Sequence, residues 1–321
     1  MRALITGIAG FVGTHLAEAI RAATDWEVWG AVIGSVEHAS AISGARILTT
    51  DLREPEQARV LVEAAHPDWV FHLAAQAYVP QSWADPWDTY QTNIRSQLNL
   101  LDAIGRLGWQ PRILVVSSNE VYGYADARDL PLNENAPLRP NSPYSVSKLA
   151  QDFMGLQYFL DRQLPIIRVR PFNHIGPRQN ERFVAPSFAK QIVEIERGLR
   201  EPILRLGNMA AQRDFTDVRD MVRAYLLAIQ KGEPGDVYNI GTGTARSVRE
   251  MLDTMLANTP IKIAEEIEPA KFRPSDTPIS YADPSKFKRQ TGWEPQISFR
   301  QTCVDILNDW RTRIPTARTI F

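Results

Sequence analysis

Short apolar runs alternate with longer amphipathic stretches through the first half of the chain. The apolar runs predict strands, and their nearly continuous apolar content is typical of strands that are buried on both faces. They cover residues 3–6, 27–33, 46–50, 69–73, 113–117 and 166–170. The amphipathic stretches predict helices at 11–22, 55–65, 88–107 and 144–160. This alternation indicates βαβ units, so we expect an α/β fold with a doubly wound parallel sheet of the Rossmann type.

Beyond Pro171 the pattern becomes less regular, with more prolines and polar loops. A helix at 217–230 and a strand at 237–240 predict one more unit that returns to the sheet. The region after residue 247 predicts a smaller, irregular α+β lobe, and the basic tail at 311–321 predicts a frayed end. We therefore expect a first domain at 1–170, rejoined by 217–241, and a second lobe made mainly of 171–321.

Composition narrows the possible classes of protein. The chain has 321 residues, and its net charge of -1 provides no general attraction to nucleic acid or to an anionic membrane. Its only cysteine, Cys303, excludes an internal disulfide and is typical of a reducing compartment. No run approaches the roughly 20 apolar residues of a membrane span. We expect a cytoplasmic protein, with no nucleic-acid or membrane partner and no metal site.

Three glycines follow the first predicted strand and open the first predicted helix. Glycine is needed where the backbone turns tightly and where a pyrophosphate approaches the main chain, and the amides of the helix N-terminus then face the phosphates. Any tight strand-to-helix turn can use glycines, but the position at the first β–α junction favours a dinucleotide-binding loop. The candidate cofactor contacts here are Gly7, Gly10, Phe11, Val12 and Gly13.

Two further positions bear on a dinucleotide. The second strand of such a fold ends beside the adenosine ribose, where an acid favours NAD and an arginine favours NADP. This chain has Ile33 and Gly34 there, so the choice between NADP and NAD stays open. Asp51 and Leu52, after the third predicted strand, either reach an adenine edge or cap the following helix.

Tyr144 and Lys148 are four residues apart, which places them on one face of a helix. An ammonium beside a phenol favours the phenolate, so this pair predicts a lowered pKa for Tyr144. Such a phenol can exchange a proton with a sugar oxygen while a nicotinamide carries the hydride. The same spacing also occurs in exposed surface pairs. Ser118 makes the pattern specific, because it ends the strand at 113–117 and such strand ends face the ligand crevice.

The glycine loop, Ser118 and the Tyr144/Lys148 pair, in this order, resemble the extended short-chain dehydrogenase/reductase family. The segment 72–76, HLAAQ, is similar to the part of that family that contacts the cofactor, and the resemblance covers nearly the whole chain. It implies NADP or NAD as the cofactor and Ser118, Tyr144 and Lys148 as the catalytic group. Besides the glycine loop, Tyr144 and Lys148, it implies cofactor contacts from Asp51, Leu52, Leu73, Ala74 and Ala75.

Several segments of the second half are similar to the nucleotide-sugar branch of this family. The resemblance implies that Asn173, in the segment 172–177, and Arg213 and Arg273 hold a sugar diphosphate. Arginine suits this task because its planar fork binds phosphate oxygens in pairs. Lys190 is a further candidate that could equally be a surface lysine, and Asp276 is expected at the base or ribose of the nucleotide.

Within that branch, the segments 172–177, 183–184 and 273–276 resemble the enzymes of GDP-6-deoxymannose metabolism. These are the GDP-mannose 4,6-dehydratases and the reductases of GDP-6-deoxy-4-ketomannose. Two departures from the dehydratases favour a reductase of the C4 keto group. Residues 33–40 contain no arginine, and Phe11-Val12 replaces the polar residues of the dehydratase glycine loop.

Other functions stay open. Glu120 stands where the dehydratases keep the base that removes the C5 proton, so a 4,6-dehydratase is the first alternative and a 4-epimerase the second. Asn119 cannot act as a general acid, which disfavours the related dehydratases that use aspartic acid there. A catalytically silent dinucleotide sensor would not need the Tyr144/Lys148 pair.

The family resemblance also implies a homodimer, formed by the predicted helices at 88–107 and 144–160 and their copies. Both helices carry apolar residues beyond what one face of a sheet requires. These residues include Leu98, Leu101, Phe153 and Leu156.

Overall fold

The computed structural model describes residues 1–34, 44–268 and 277–315. Its strands are β1 (Arg2–Thr6), β2 (Glu27–Val32), β3 (Arg46–Thr49), β4 (Trp69–His72), β5 (Arg112–Val116), β6 (Ile166–Pro171), β7 (His174–Ile175), β8 (Ile203–Leu206), β9 (Gln212–Asp214), β10 (Thr216–Asp217), β11 (Val237–Ile240), β12 (Ala245–Ser247), β13 (Ala264–Ile267) and β14 (Ile279–Ser280). Its helices are α1 (Phe11–Ala23), α2 (Pro55–Ala65), α3 (Val79–Ala84), α4 (Pro86–Tyr90), α5 (Ser96–Gly105), α6 (Pro143–Arg162), α7 (Val184–Glu196), α8 (Val218–Lys231), α9 (Val248–Leu256), α10 (Ser285–Thr291) and α11 (Phe299–Arg313). A π-helical turn (Gln91–Arg95) joins α4 to α5, and 3-10 turns cover Asn119–Tyr122 and Ala127–Asp129.

The described residues form a seven-stranded parallel sheet in the order β11-β6-β5-β4-β1-β2-β3. The chain winds outward from β1 in one direction through β2 and β3, and in the other direction through β4, β5 and β6. A crevice therefore opens beyond the carboxyl ends of β1 and β4, where the direction of winding changes. This topology confirms the doubly wound α/β fold.

Alternate side chains of the central strands pack against two opposite layers of helices. In β1, Ile5 packs in the core that contains α1 and α8, whereas Leu4 packs in the core that contains α2 and α5. In β4, Phe71 and Val70 divide in the same way. Since successive side chains of a strand point to opposite faces, near-continuous apolar strands fill both layers.

A separate hydrophobic core lies in the second lobe, where α7, α9 and α11 pack together. The expectation of an irregular region after residue 247 is wrong here, because α9 and α11 are regular helices that bury one face against α7. The tail expected at 311–321 begins inside α11, with Arg311 bonded to Glu196 at 2.6 Å. Residues 316–321 lie outside the described residues.

After the first part of the second lobe, residues 218–240 return to the first domain. Helix α8 packs on α1, and β11 pairs with β6. Phe287 and Trp293, from the C-terminal part of the chain, are also buried in the core shared by α1 and α8. In the part of the chain that the structure describes, no helix is long and apolar enough to cross a membrane.

Candidate active site

The glycine loop is shaped by close approach of its backbone to neighbouring main-chain atoms. Gly7 has φ +72°, and a Cβ added there would lie 3.0 Å from the backbone of Ala74. A Cβ at Gly13 would lie 2.4 Å from the carbonyl oxygen of Gly7. Helix α1 begins directly after Gly10, which has no side chain to cap it, so the first amides of the helix remain free to bind an anion. The loop therefore fits a dinucleotide pyrophosphate.

A cleft of about 190 Å³ adjoins this loop and fits the adenosine half of a dinucleotide. It is lined by five of the residues expected to contact the cofactor, namely Gly7, Asp51, Leu52, Ala74 and Ala75. Leu73 is not among its lining residues, and its amide bonds to the carbonyl oxygen of Thr6 at 3.3 Å.

Asp51 does not cap α2, because the N-cap position belongs to Glu54. Its carboxylate instead accepts hydrogen bonds from the Arg53 guanidinium at 2.7–3.1 Å, and these bonds lower the pKa of Asp51. Arg53 also lies 3.6 Å from Asp88. The capping alternative is therefore wrong, and the carboxylate is held at the wall of the cleft.

The remaining residues of the loop connect it to the second lobe. Phe11 and Val12 pack against the core of the first domain. The Phe11 ring also stacks on His174 at 6.2 Å between centroids. One turn along α1, His15 Nε2 is 3.0 Å from the carbonyl oxygen of Pro177. The first helix thus touches both the candidate phosphate loop and the segment 172–177.

Ser118, Tyr144 and Lys148 are brought together at the carboxyl end of β5, and each is at most 8% exposed. Ser118 lies at the N-cap of the 3-10 turn Asn119–Tyr122, where its hydroxyl accepts from the Glu120 amide at 3.2 Å. Tyr144 lies in the first turn of α6, close enough to the Ser118 side chain for that group to lower the pKa of the phenol. The phenol and the serine hydroxyl can therefore bind one substrate oxygen together.

The acid–base properties of this group differ from the expectation. Burial raises the pKa of Tyr144 to about 12, the Ser118 side chain opposes this rise, and the Glu120 carboxylate adds to it. Burial also lowers the pKa of Lys148 to about 7. The predicted lowering of the Tyr144 pKa by Lys148 is wrong for this structure, because desolvation of the phenol dominates. At neutral pH the Tyr144 phenol is therefore protonated, and in this form it can donate a proton.

Lys148 is held by carbonyl oxygens. Its Nζ donates to the backbone oxygen of Val116 at 3.0 Å and to Gln151 Oε1 at 2.8 Å. One helical turn farther, Asp152 is completely buried and binds Arg168 and Arg170 of β6, each at 2.6 Å. These bonds fix α6 against the sheet, and with it the positions of Tyr144 and Lys148.

The helix expected at 88–107 is interrupted, and the interruption serves the site. Asn93, in the π-helical turn, accepts from the Gln76 amide at 2.7 Å and donates to the Ser147 hydroxyl at 2.8 Å. The added residue of such a turn places a side chain where a regular helix would not. Asn93 thereby joins the loop after β4 to the catalytic helix α6.

The expected diphosphate contacts lie on short elements of the second lobe. Asn173 follows β6, and its Oδ1 is buried without a hydrogen-bond partner among the described residues. Arg213 lies on β9, in register with Ser280 of β14, and Ser280 Oγ is 3.4 Å from Asn119 Nδ2. Strand β14 is therefore next to the catalytic turn at residues 119–122, and β9, which carries Arg213, pairs with β14.

Lys190 is engaged elsewhere. Its ammonium is 2.9 Å from Glu181 and lies over the ring of Trp310 at 5.8 Å. The Lys190 ammonium is thus paired with groups of the second lobe, so Lys190 is not part of the proposed substrate site. Arg273 and Asp276 lie outside the described residues and stay predictions.

Besides Asn93, three residues of this site were not expected from the sequence, namely Thr6, Gln151 and Arg53, and His72 was expected only as part of the segment 72–76. His72 and Thr6 share a hydrogen bond of 2.9 Å between Nδ1 and Oγ1, and burial lowers the pKa of His72 to about 3. Gln151 and Arg53 bind Lys148 and Asp51, respectively. The spacing of three residues between Lys148 and Gln151 on one helix face was the signal that could have identified Gln151.

The comparisons with known proteins agree with this architecture. The family model described as GDP-mannose 4,6 dehydratase matches residues 4–306. A GDP-6-deoxy-D-mannose reductase from Pseudomonas aeruginosa is 35% identical over 98% of each chain. A GDP-mannose 4,6-dehydratase from Vibrio cholerae is 27% identical over 95% of this chain and 92% of its own.

Among solved structures, RMD from Pseudomonas aeruginosa, complexed with NADPH, superposes with a TM-score of 0.87. It is 34% identical to this chain, with 98% of this chain and 99% of that chain covered. The resemblance to the nucleotide-sugar branch of the extended short-chain dehydrogenases/reductases is thereby confirmed.

Proposed function

The chain belongs to the GDP-mannose 4,6-dehydratase family, and we propose that it is a reductase within that family. The proposed reaction reduces the C4 keto group of GDP-6-deoxy-4-ketomannose, with NADPH or NADH as the reductant. The observation that carries the proposal is the buried group of Ser118, Tyr144 and Lys148 at the carboxyl end of β5, in a chain that is 35% identical to a GDP-6-deoxy-D-mannose reductase. A ketone reduction needs a proton donor at the C4 oxygen, and the phenol of Tyr144 can be that donor.

Each residue of the group has one task in the proposed reaction. When bound, a reduced nicotinamide supplies the hydride for C4. Tyr144 donates its hydroxyl proton to the C4 oxygen, and the Ser118 hydroxyl holds that oxygen by a hydrogen bond. The charged form of Lys148 favours the phenolate that remains after the transfer. The product is the C4 alcohol.

The cofactor is expected along the carboxyl end of the sheet. The free amides of α1 suit the pyrophosphate, and the cleft lined by Asp51, Leu52, Ala74 and Ala75 suits the adenosine. Residues 33–45 contain no lysine or arginine that could bind a 2′-phosphate. RMD, which is 34% identical, is complexed with NADPH in its structure. We propose that the present enzyme uses NADPH or NADH, and the assay described below tests both cofactors.

The sugar diphosphate is proposed to bind between the lobes. The buried Oδ1 of Asn173, which has no hydrogen-bond partner among the described residues, and the position of Arg213 on β9, which pairs with β14 beside the catalytic turn, support this proposal. Arg273 and Asp276 are proposed to complete the site at the second phosphate and the nucleoside. A GDP-linked sugar is the substrate class that the 35% identical relative's name supports.

The second candidate is a GDP-mannose 4,6-dehydratase, which Glu120 favours. Its carboxylate is close enough to Tyr144 to raise the pKa of the phenol. Such a residue could remove a C5 proton after oxidation at C4. The 27% identical relative from Vibrio cholerae carries that name.

One experiment separates the two candidates. The purified protein is incubated with GDP-6-deoxy-4-ketomannose or with GDP-mannose, each with NADPH and with NADH, while cofactor absorbance and product mass are recorded. We expect cofactor oxidation with the keto sugar and a product heavier by two hydrogens. Conversion of GDP-mannose to a product lighter by one water, without net cofactor consumption, would overturn the reductase in favour of the dehydratase.

We also propose a homodimer formed through α5 and α6. Leu98, Phe153 and Leu160 are 40%, 49% and 64% exposed, and a shallow apolar groove runs along α6 between Phe153 and Leu160. A contiguous exposed apolar patch of this kind is typical of a protein interface. Leu101 does not belong to this surface, because it is completely buried in the core beneath α5.

A further inference from the structure

Gln151 is a polar side chain that is completely buried beside the candidate catalytic lysine. It lies one turn beyond Lys148 on α6, and its Oε1 accepts from Lys148 Nζ at 2.8 Å. The other acceptor for this ammonium is the backbone oxygen of Val116. Both acceptors are neutral oxygens, and burial rather than a neighbouring charge sets the state of the amine.

The far end of the Gln151 amide is fixed by His72. Gln151 Nε2 is 3.4 Å from His72 Nε2, and His72 Nδ1 is 2.9 Å from Thr6 Oγ1. Burial holds the pKa of His72 near 3, so the ring is neutral and one nitrogen can accept. The ring therefore lies between Thr6 and the far end of the Gln151 amide, whose oxygen points to Lys148. The backbone carbonyl oxygen of Gln151 accepts from Gln97 Nε2 at 2.7 Å, a contact separate from the bond between the Gln151 side chain and Lys148.

We propose that Gln151 is a positioning residue that holds Lys148 beside Tyr144 and stabilises the charged form of the lysine. A hydrogen bond that is made to the charged form of a group favours that form. Without the Gln151 oxygen, one of two acceptors is lost in a buried site, and the ammonium becomes less stable. The proposal rests on the proposed role of Lys148 in ketone reduction.

Other charges around α6 do not replace this acceptor. Tyr144 and His72 are neutral at pH 7, and the Glu120 carboxylate acts on Tyr144. The remaining charged groups on elements packed against α6 have partners of their own. Asp88 contacts Arg53, Arg95 contacts Glu54, and Arg112 donates to the carbonyl oxygen of Gly232. Asp102 accepts from Tyr158, and Asp152 binds Arg168 and Arg170.

Two substitutions at this position should act in opposite directions. Gln151→Met keeps the shape of the side chain but removes the acceptor, so the lysine should lose its proton at lower pH. Gln151→Glu adds a negative charge at the same place, so the lysine should keep its proton to higher pH. We expect the ratio of charged to neutral Lys148 at a given pH to fall or rise by about tenfold, respectively, which is the effect of one strong hydrogen bond to a charge.

The titration of Lys148 is measured directly by NMR of cofactor-free protein labelled with ¹³C-lysine, with its signal assigned through Lys148→Arg. The rate of ketone reduction is followed over the same pH range, where the alkaline limb should move with the lysine. Gln97→Met is the matched control, because it removes a buried hydrogen bond to the backbone of Gln151 and leaves the Lys148 acceptor in place. We expect its Lys148 titration to equal that of the parent.

The outcomes separate this inference from the proposed function. Opposite shifts of the Lys148 midpoint in the two variants, with none in Gln97→Met, support the inference. Midpoints equal to that of the parent, or displaced in one direction in both variants, overturn it. If Gln151→Met does not fold, the comparison of Gln151→Glu with the parent decides. Opposite shifts in a protein that reduces no keto sugar support the role of Gln151 and overturn the reductase.

Discussion

Replacing Tyr144 with phenylalanine removes a single oxygen atom from the candidate active site. Tyr144 is 8% exposed and phenylalanine keeps its ring, so the packing of the ring should not change. Loss of a general acid lowers a rate by about 10²- to 10⁴-fold. That factor corresponds to about 3–5 kcal/mol in the activation free energy. We therefore expect kcat to fall by two to four orders of magnitude, while the affinity for the cofactor stays nearly the same.

Tyr225 provides a matched control for this substitution. Tyr225 is completely buried, and its hydroxyl has no hydrogen-bond partner among the described residues. A buried polar group without a partner costs about 1–3 kcal/mol, so Tyr225→Phe should raise the free energy of unfolding and leave turnover unchanged. Tyr144→Phe should instead lose the activity, because the transferable proton is removed.

The assay is the oxidation of NADPH or NADH by a keto sugar under saturating conditions, with thermal unfolding recorded for each protein. Retention of turnover within a few-fold of the parent in Tyr144→Phe would remove this phenol from the mechanism. An equal loss of turnover in Tyr225→Phe would show that the effect comes from disturbed packing and not from the lost proton.

Four further predictions follow from the same geometry. Glu120→Gln should keep most of the ketone reduction, because Tyr144 supplies the proton, and loss of a GDP-mannose dehydration in this variant would instead support the dehydratase. Arg213→Ala should weaken GDP binding by about 10- to 100-fold in calorimetry, the effect of one charge-assisted contact, whereas Lys190→Ala should not. Lys148 has a folded-state pKa of about 7, below its ordinary value of 10.5, so its contribution to stability is present above pH 10.5 and is lost as the pH falls toward 7. Lys148→Met should therefore stabilise the fold by a few kcal/mol at pH 7, and this gain should vanish near pH 10.5. Thermal unfolding at several pH values measures the gain, and a gain that does not vary with pH would contradict this pKa of Lys148. Phe153→Asp should convert the proposed dimer to a monomer in light scattering, and a monomeric parent protein would remove the dimer.

Much of the first domain could be predicted from periodicity. The helix at residues 55–65 has the bounds that the amphipathic pattern predicts. Each end of the predicted strands of the central sheet lies within one residue of its predicted position. Such segments carry a strong local signal, since each strand is apolar on both faces and each helix is apolar on one. The periodic pattern of apolar residues was weaker in the region after residue 247. The apolar faces of α9 and α11 are completed only by packing against α7.

The acid–base state of the candidate site was not predictable from the same pattern. The spacing of Tyr144 and Lys148 indicates that they share a helix face, but it contains no information about desolvation. The surrounding fold buries both groups, which raises the pKa of Tyr144 and lowers that of Lys148. The interruption of the helix predicted at 88–107 was not predictable either, because the hydrogen-bond partners of Asn93 come close to it only in the folded protein.

The sequence by itself determined the order of the elements, the glycine loop at the first β–α junction and the residue types of the candidate catalytic group. These features depend on spacing within a few residues, which the chain carries locally. Tertiary structure alone decided which distant groups meet, among them Thr6, His72 and Gln151 behind Lys148, and Asn119 beside Ser280. The physical reason is that burial and long-range hydrogen bonds set the charge and orientation of a side chain, and both exist only after the sheet and its two helix layers have closed around it.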